Sequence, residues 1–114
     1  MPNPVVHFEI MGKESAKLGS FYSGLFGWKV DADNPMHYGM VDTGGQGIPG
    51  GIGDEPDGSN RVTVYVQVDD LQKYLDDAVS RGGSVIMPPT EIPGAVTMAM
   101  FADPAGNTVG MIKG

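Results

Sequence analysis

The chain has 114 residues, 40% of them hydrophobic and 18% charged, which is room for one domain with one packed core and is far from the composition of a disordered chain. Fourteen acids against seven bases leave a formal charge of -7, and no cluster of lysine or arginine stands ready to neutralise phosphates, so nucleic acid is not expected as a partner. The absence of cysteine excludes disulfides, thiolate metal sites and cysteine nucleophiles. The first residues lack a basic segment followed by an apolar run, and no stretch reaches the roughly 18 apolar residues of a membrane helix. The expectation is a cytoplasmic protein with no membrane partner.

Pro4 cannot donate to a ladder and often marks a strand edge, so a first strand is expected from Val5 to Ile10. Val6, Phe8 and Ile10 alternate with His7 and Glu9, giving one apolar and one polar face. Between Ser15 and Leu25, the residues Leu18, Phe21, Tyr22 and Leu25 recur at three- and four-residue spacings. That spacing predicts an amphipathic helix, closed by Gly24 and Gly27. Short strands are expected at Trp28 to Val30, at His37 to Val41 and, with a weaker signal, at Ile48 to Gly53. The run DEPDGSN, Asp54 to Asn60, has the composition of an exposed linker. After it, Val62, Val64, Val66 and Val68 alternate with Thr63, Tyr65 and Gln67, a strand pattern whose valines are expected to be buried under helix. A second helix is expected from Asp69 to Arg81, with Asp69 as N-cap, Gln72 as its capping-box partner, Leu71, Tyr74, Leu75, Ala78 and Val79 as the apolar stripe, and Gly82 and Gly83 as the stop. Strands at Ser84 to Met87, Ala95 to Phe101 and Thr108 to Ile112 complete the chain, and Asp103 to Gly106 fit a type I turn joining the last two.

A single offset of 56 residues superposes the two halves: Val6 on Val62, Phe8 on Val64, Ile10 on Val66, Leu18 on Tyr74, Gly27 on Gly83 and Val30 on Ile86. Strand, helix stripe and glycine stop stay in register together, which points to an internal duplication. The expected architecture is α+β, two tandem βαβββ modules in one domain over residues 1–114. The first module covers about 1–54, the linker about 54–60 and the second module about 61–114.

Four segments carry a family likeness: VVHFEI at the first strand, FYSGLFGWKV at the end of the first helix, VYVQVDDL entering the second helix and FADPAGNTVG at the final hairpin. With them the chain resembles the vicinal oxygen chelate superfamily, which includes glyoxalase I, bleomycin-resistance proteins, fosfomycin-resistance proteins and extradiol dioxygenases. The resemblance implies that each module curls a sheet around a cleft, with its helix on the outer face. It also implies that the polar faces, bearing His7 and Glu9 on one strand and Arg61, Thr63, Tyr65 and Gln67 on the other, turn toward that cleft.

Metal-binding members of that superfamily take one ligand from the first and last strand of each module. His7 falls on the first position and is competent as a neutral imidazole. Thr63 falls on the second and is a poor ligand. Gly110, three residues after the Asn of DPAGN, falls where relatives carry a glutamate. The fourth position lies near Gly51 to Glu55, and the simple offset sets Asp54 opposite Gly110. A catalytic metal typically needs about three protein ligands, so no metal and no other cofactor is expected, with a divalent metal as the alternative.

The function implied is small-molecule binding of the glyoxalase and bleomycin-resistance kind, with His7, Glu9, Thr63, Tyr65, Gln67 and Gly110 at the ligand. Glu9 or His7 as acid and base, or a metal completed across a dimer, would instead make a lyase- or isomerase-type enzyme related to lactoylglutathione lyase. A third reading is an accessory interaction domain with a vestigial cleft. Trp28, Tyr38, Met40, Met98, Met100 and Phe101 read either as core or as pocket lining, and His37 as a surface strand residue. Small two-module members commonly pair, so a homodimer is expected.

Overall fold

The computed structural model describes residues 2–114. Its elements are β1 (Val5–Gly12), α1 (Ser15–Phe26), β2 (Lys29–Asp31), β3 (Gly39–Asp42), β4 (Gly50–Asp54), β5 (Arg61–Val68), α2 (Leu71–Ser80), β6 (Ser84–Glu91), β7 (Thr97–Ala102) and β8 (Thr108–Lys113). This is an α+β fold in which the order strand, helix, three strands occurs twice. The offset of 56 holds through the strand and helix that open each module: β1 and β5 start at Val5 and Arg61, and α1 and α2 start at Ser15 and Leu71.

Two compact units divide the chain, one of residues 7–63 and the other of residues 64–114 with the N-terminal segment up to Val6. In the first unit the strand order is β2-β3-β4-β1, with β4 and β1 parallel and the remaining pairs antiparallel. In the second unit the order is β5-β8-β7-β6, again with one parallel pair, β5 and β8. The N-terminal segment is tied to the second unit by three bonds. Gln67 N donates to Pro4 O at 2.9 Å, Asn3 Nδ2 to Gln67 O at 3.1 Å, and Tyr74 Oη to Asn3 Oδ1 at 3.2 Å.

Helix α2 begins one residue later than its sequence suggests. Asp70, not Asp69, is the N-cap: its extended backbone sets Oδ1 3.1 Å from the Lys73 N–H, which donates to it. Gln72 does not close a capping box, because its Nε2 bonds Asp76 Oδ1 one turn ahead at 2.9 Å. Leu71 and Leu75 are buried and join Val68, Ala99 and Met111 in the core of the second unit, with Val66, Tyr74 and Phe101 packed around them.

Helix α1 is built differently. Its N-cap residue, Glu14, is left-handed (φ 54°, ψ 62°) and supplies no side-chain cap, while the Ser15 N–H donates at 2.8 Å to Asp54 Oδ1 on β4. Phe21 and Leu25, expected in the buried stripe, are 60% and 59% exposed; the buried residue of α1 is Gly19. The small side chains of Ala16, Gly19, Ser20 and Ser23 instead line a cavity of about 750 Å³ facing Val30, His37 and Ile52.

The valine stripe of β5 is also not uniformly buried. Val68 lies in the core, but Val62 is 75% exposed and Val64 41%, whereas Thr63 and Tyr65 on the opposite face are each 3% exposed. Helix α1 packs on β2, β3 and β4, and α2 on β6, β7 and β8. The buried end of β5 is the one beside α2, where Val68 joins Leu71 and Leu75 in the core with Val66 packed against them.

Strand boundaries also moved, most at β3 and β6. His37 has φ 52° and lies ahead of β3, which opens at Gly39. Strand β6 continues through Pro88 and Pro89 to Glu91, with register shifts either side of Met87. Prolines are tolerated there because β6 is the outermost strand in the order of its sheet.

Candidate functional site

Strand pairing decides which side chains share a face. In the first unit Phe8 is paired with Gly50, Glu9 with Gly51 and Ile10 with Ile52. The Phe8 ring lies over Gly50 and stacks at a tilt on Trp28, with ring centres 5.4 Å apart. Trp28 in turn meets Tyr22 and Phe26 of α1, so Phe8 and Trp28 belong to the helix-side packing. His7 and Glu9 therefore occupy the face turned away from α1, as expected from the alternation.

On that face a connected polar network assembles. His7 Nε2 and Tyr38 Oη are 3.0 Å apart, and Tyr38 Oη donates to Glu9 Oε2 at 2.8 Å. Glu9 Oε1 is 3.0 Å from Arg61 Nη2. Arg61 also gives Nη2 at 3.1 Å and Nε at 3.3 Å to Glu55 Oε2. Glu9 is 8% exposed, so its charge is held by partners rather than by bulk water. Burial pushes the His7 imidazole below its ordinary range, and the negative charge of Glu9 opposes that shift in part. Thr63, two residues from Arg61 on the same side of β5, has a buried Oγ1 with no hydrogen-bond partner among the described residues.

Tyr38 reaches this network by an arranged backbone. Asn34 grips its main chain twice: Nδ2 donates to Tyr38 O at 2.7 Å and Oδ1 accepts from Tyr38 N at 3.0 Å. The left-handed His37 turns the chain immediately before it. The hydroxyl end of the phenol then lies across Gly51, where a Cβ would overlap it.

The other candidates lie in the second unit. Tyr65 is paired with Gly110, and its ring covers that glycine in the same way. The Gln67 side chain covers Gly114, while its backbone carbonyl accepts from Asn3. Met100 is paired with Gly110, and Met98 lies two residues along the same strand face, so both share the Tyr65 side of the sheet; Phe101 packs against the core on the other.

These registers identify the uncertain fourth position of the family pattern. Glu9 pairs with Gly51 as Tyr65 pairs with Gly110, and 65 − 9 = 56 is the module offset. Gly51, and not Asp54, is thus the counterpart of Gly110; the insertions between strands have lengthened the offset there to 110 − 51 = 59. Asp54 is paired with Gly12, five residues along β1 from His7, or about 16 Å at the usual strand rise. It is exposed, and its carboxylate caps α1.

The four positions do not fit a divalent metal. One is a threonine and two are glycines beneath tyrosine rings, while His7 already meets Tyr38 through Nε2. Among the described residues no three His, Asp or Glu side chains gather to hold an ion. Asn34 and Glu55 are residues that sequence reasoning missed, and Tyr38 was read only as core or pocket lining, without its link to His7 and Glu9. One signal was present: consecutive glycines at 50 and 51 inside a strand mark a close approach by something bulky.

Comparison with known proteins agrees with this architecture. The chain is 35% identical over 115 residues to the Mycobacterium tuberculosis protein named "Putative glyoxylase CFP32", covering 90% of this chain and 42% of that one. It is 30% identical over 123 residues to "Anthracycline biosynthesis protein DnrV" of Streptomyces peucetius, covering 92% and 45%. It thus spans less than half the length of these relatives. A Vibrio splendidus crystal structure, a glyoxalase/bleomycin resistance protein/dioxygenase superfamily member, shares the fold with a TM-score of 0.67 at 13% identity, covering 99% of this chain and 100% of that one. The family model described as Glyoxalase/Bleomycin resistance protein/Dioxygenase superfamily matches residues 5–111, and the chain belongs to that superfamily.

Proposed function

We propose that this protein binds a small organic molecule without a metal, on the face that carries His7, Glu9, Tyr38, Arg61 and Thr63. The observation that carries this reading is the largely buried run of polar contacts from His7 through Tyr38 and Glu9 to Arg61 and Glu55. Beside it on β5 stands the buried Thr63 hydroxyl. A buried polar group left unsatisfied costs about 1–3 kcal/mol, and a polar group of a ligand would recover that cost. Arg61 directs Nε and Nη2 to two carboxylates, so its charge is already more than balanced. The site therefore suits a neutral or cationic ligand better than a carboxylate or a phosphate. Nucleic acid and membrane have no place in this reading, no cofactor enters it, and assembly as a homodimer belongs to it.

The direct contact of His7, Tyr38 and Glu9 favours a second reading, in which the same groups move a proton on the bound molecule as in a lyase or isomerase. Elemental analysis and native mass spectrometry of the purified protein test the first reading. Expected is no stoichiometric Zn, Ni, Fe or Mn, and a mass of two chains. A tightly held metal, one per site, would overturn it. A thermal-shift screen of matched amides, amines and carboxylates should favour the amides and amines, with the gain lost in Thr63→Val. A screen in which carboxylates stabilise the protein best would contradict the charge argument.

A further inference from the structure

We infer that Tyr38 is the positioning residue of this site: its phenol occupies the place that strand register assigns to a ligand-bearing side chain, and it fixes His7 as the Nε2–H tautomer tied to Glu9. The inference rests on the metal-independent reading above and specifies what replaces the metal. Gly51 stands in β4 where Gly110 stands in β8, each opposite the corresponding residue of its parallel neighbour, Glu9 or Tyr65. Any side chain at Gly51 would start on the hydroxyl end of the Tyr38 phenol. The glycine and the tyrosine therefore go together, and a strand-borne carboxylate is excluded while the ring is there.

Proton counting sets the tautomer. Tyr38 has a single hydroxyl proton, and the Glu9 carboxylate, paired with Arg61 through Oε1, can only accept. The phenol proton accordingly lies toward Glu9 Oε2 at 2.8 Å. The 3.0 Å contact between Tyr38 Oη and His7 Nε2 then needs its proton from the imidazole. A ring nitrogen that donates a hydrogen bond has no lone pair for a cation, so the contact that orders His7 also withdraws Nε2 from metal chemistry. The double hold of Asn34 on the Tyr38 main chain and the left-handed His37 keep the hydroxyl at this point. In the second unit Tyr65 covers Gly110 from the paired strand itself, so the ring that reaches in from outside the paired strand, as Tyr38 does from the residue before β3, belongs to the first unit.

The test is long-range ¹H–¹⁵N correlation of the imidazole nitrogens in the full chain. There are two histidines, and His37→Gln assigns their signals. Expected at neutral pH is a single His7 tautomer with Nε2 protonated. Tyr38→Phe keeps the ring over Gly51 and removes the hydroxyl, and should convert that single species to a mixture. Asn34→Ala should move it the same way, and it carries the test if Tyr38→Phe does not fold. A wild-type His7 protonated at Nδ1, or a tautomer unchanged in a folded variant of either kind, would overturn the inference. Zinc titrated into the wild-type sample separates the two proposals: loss of the His7 signals at one equivalent defeats the metal-independent reading whatever the tautomer.

Discussion

The two units share one plan and have put it to different uses. The second is held by ordinary apolar packing: α2 buries Leu71 and Leu75 against Val68, Ala99 and Met111, and its N-terminus is capped by its own Asp70. The first has α1 seated on small residues, its cap borrowed from Asp54 on β4, and a face rich in ionisable groups. Apolar burial stabilises without direction, whereas a buried polar network costs desolvation and returns geometry. The comparison teaches that a duplicated unit can keep its fold while one copy gives up packing to hold charged groups in place.

The most severe way to break the second unit is to hollow its core. Leu75→Ala, at a residue 1% exposed, should lower stability by about 2–5 kcal/mol in urea unfolding. The same truncation at an exposed leucine of α1, Leu25→Ala at 59% exposure, should stay within about 0.5 kcal/mol. Equal losses would show that α1 is packed as tightly as α2.

In the first unit the sensitive residue is Arg61. Arg61→Met leaves Glu9 and Glu55 without the cation that joins them and should cost about 3 kcal/mol, the scale for removing one partner of a buried pair. Adding Glu9→Gln should recover part of that loss. A double variant no better than the single one would mean that the arginine acts through packing and not through charge.

The caps differ more gently. Asp70→Ala should cost about 1 kcal/mol. At the start of α1, Glu14→Gly should raise stability by up to about 1 kcal/mol, because the left-handed backbone at φ 54° disfavours a side chain.

The smallest effect is a pH dependence. The unfolded imidazole takes a proton near its ordinary value of 6.5, whereas burial keeps His7 neutral to lower pH in the folded chain. Between those two points the unfolded state binds more protons, so stability should fall as the pH drops below that value, until the folded His7 titrates as well. His7→Gln should flatten urea midpoints compared at pH 7.5 and pH 5.5. A slope unchanged in that variant would assign it to other groups.

Much of this was legible beforehand. The period-two runs, the Leu71 and Leu75 part of the α2 stripe, the Asp103 turn with its 2.9 Å bonds from the Ala105 and Asn107 amides, and the duplication all follow from local spacing. The same alternation put His7, Glu9, Arg61 and Thr63 on the polar faces. What was not legible depended on which elements reach which strands. Val62 and Val64 share the apolar pattern of β5, yet they are exposed, while Val66 and Val68 meet the core that holds Leu71 and Leu75. Asp54 matched a ligand position by counting alone, since the unequal turns before β4 and β8 cannot be measured by an offset.

The sequence by itself determined two βαβββ modules and the polar faces of β1 and β5, because alternation, helical spacing and residue chemistry act over a few bonds. Only the tertiary structure decided that Tyr38 crosses Gly51 to meet His7 and Glu9 and that Arg61 joins Glu9 to Glu55. Apart from Arg61 with Glu55, those contacts join residues far apart along the chain, and strand register, set by the packing of the whole unit, brings them together.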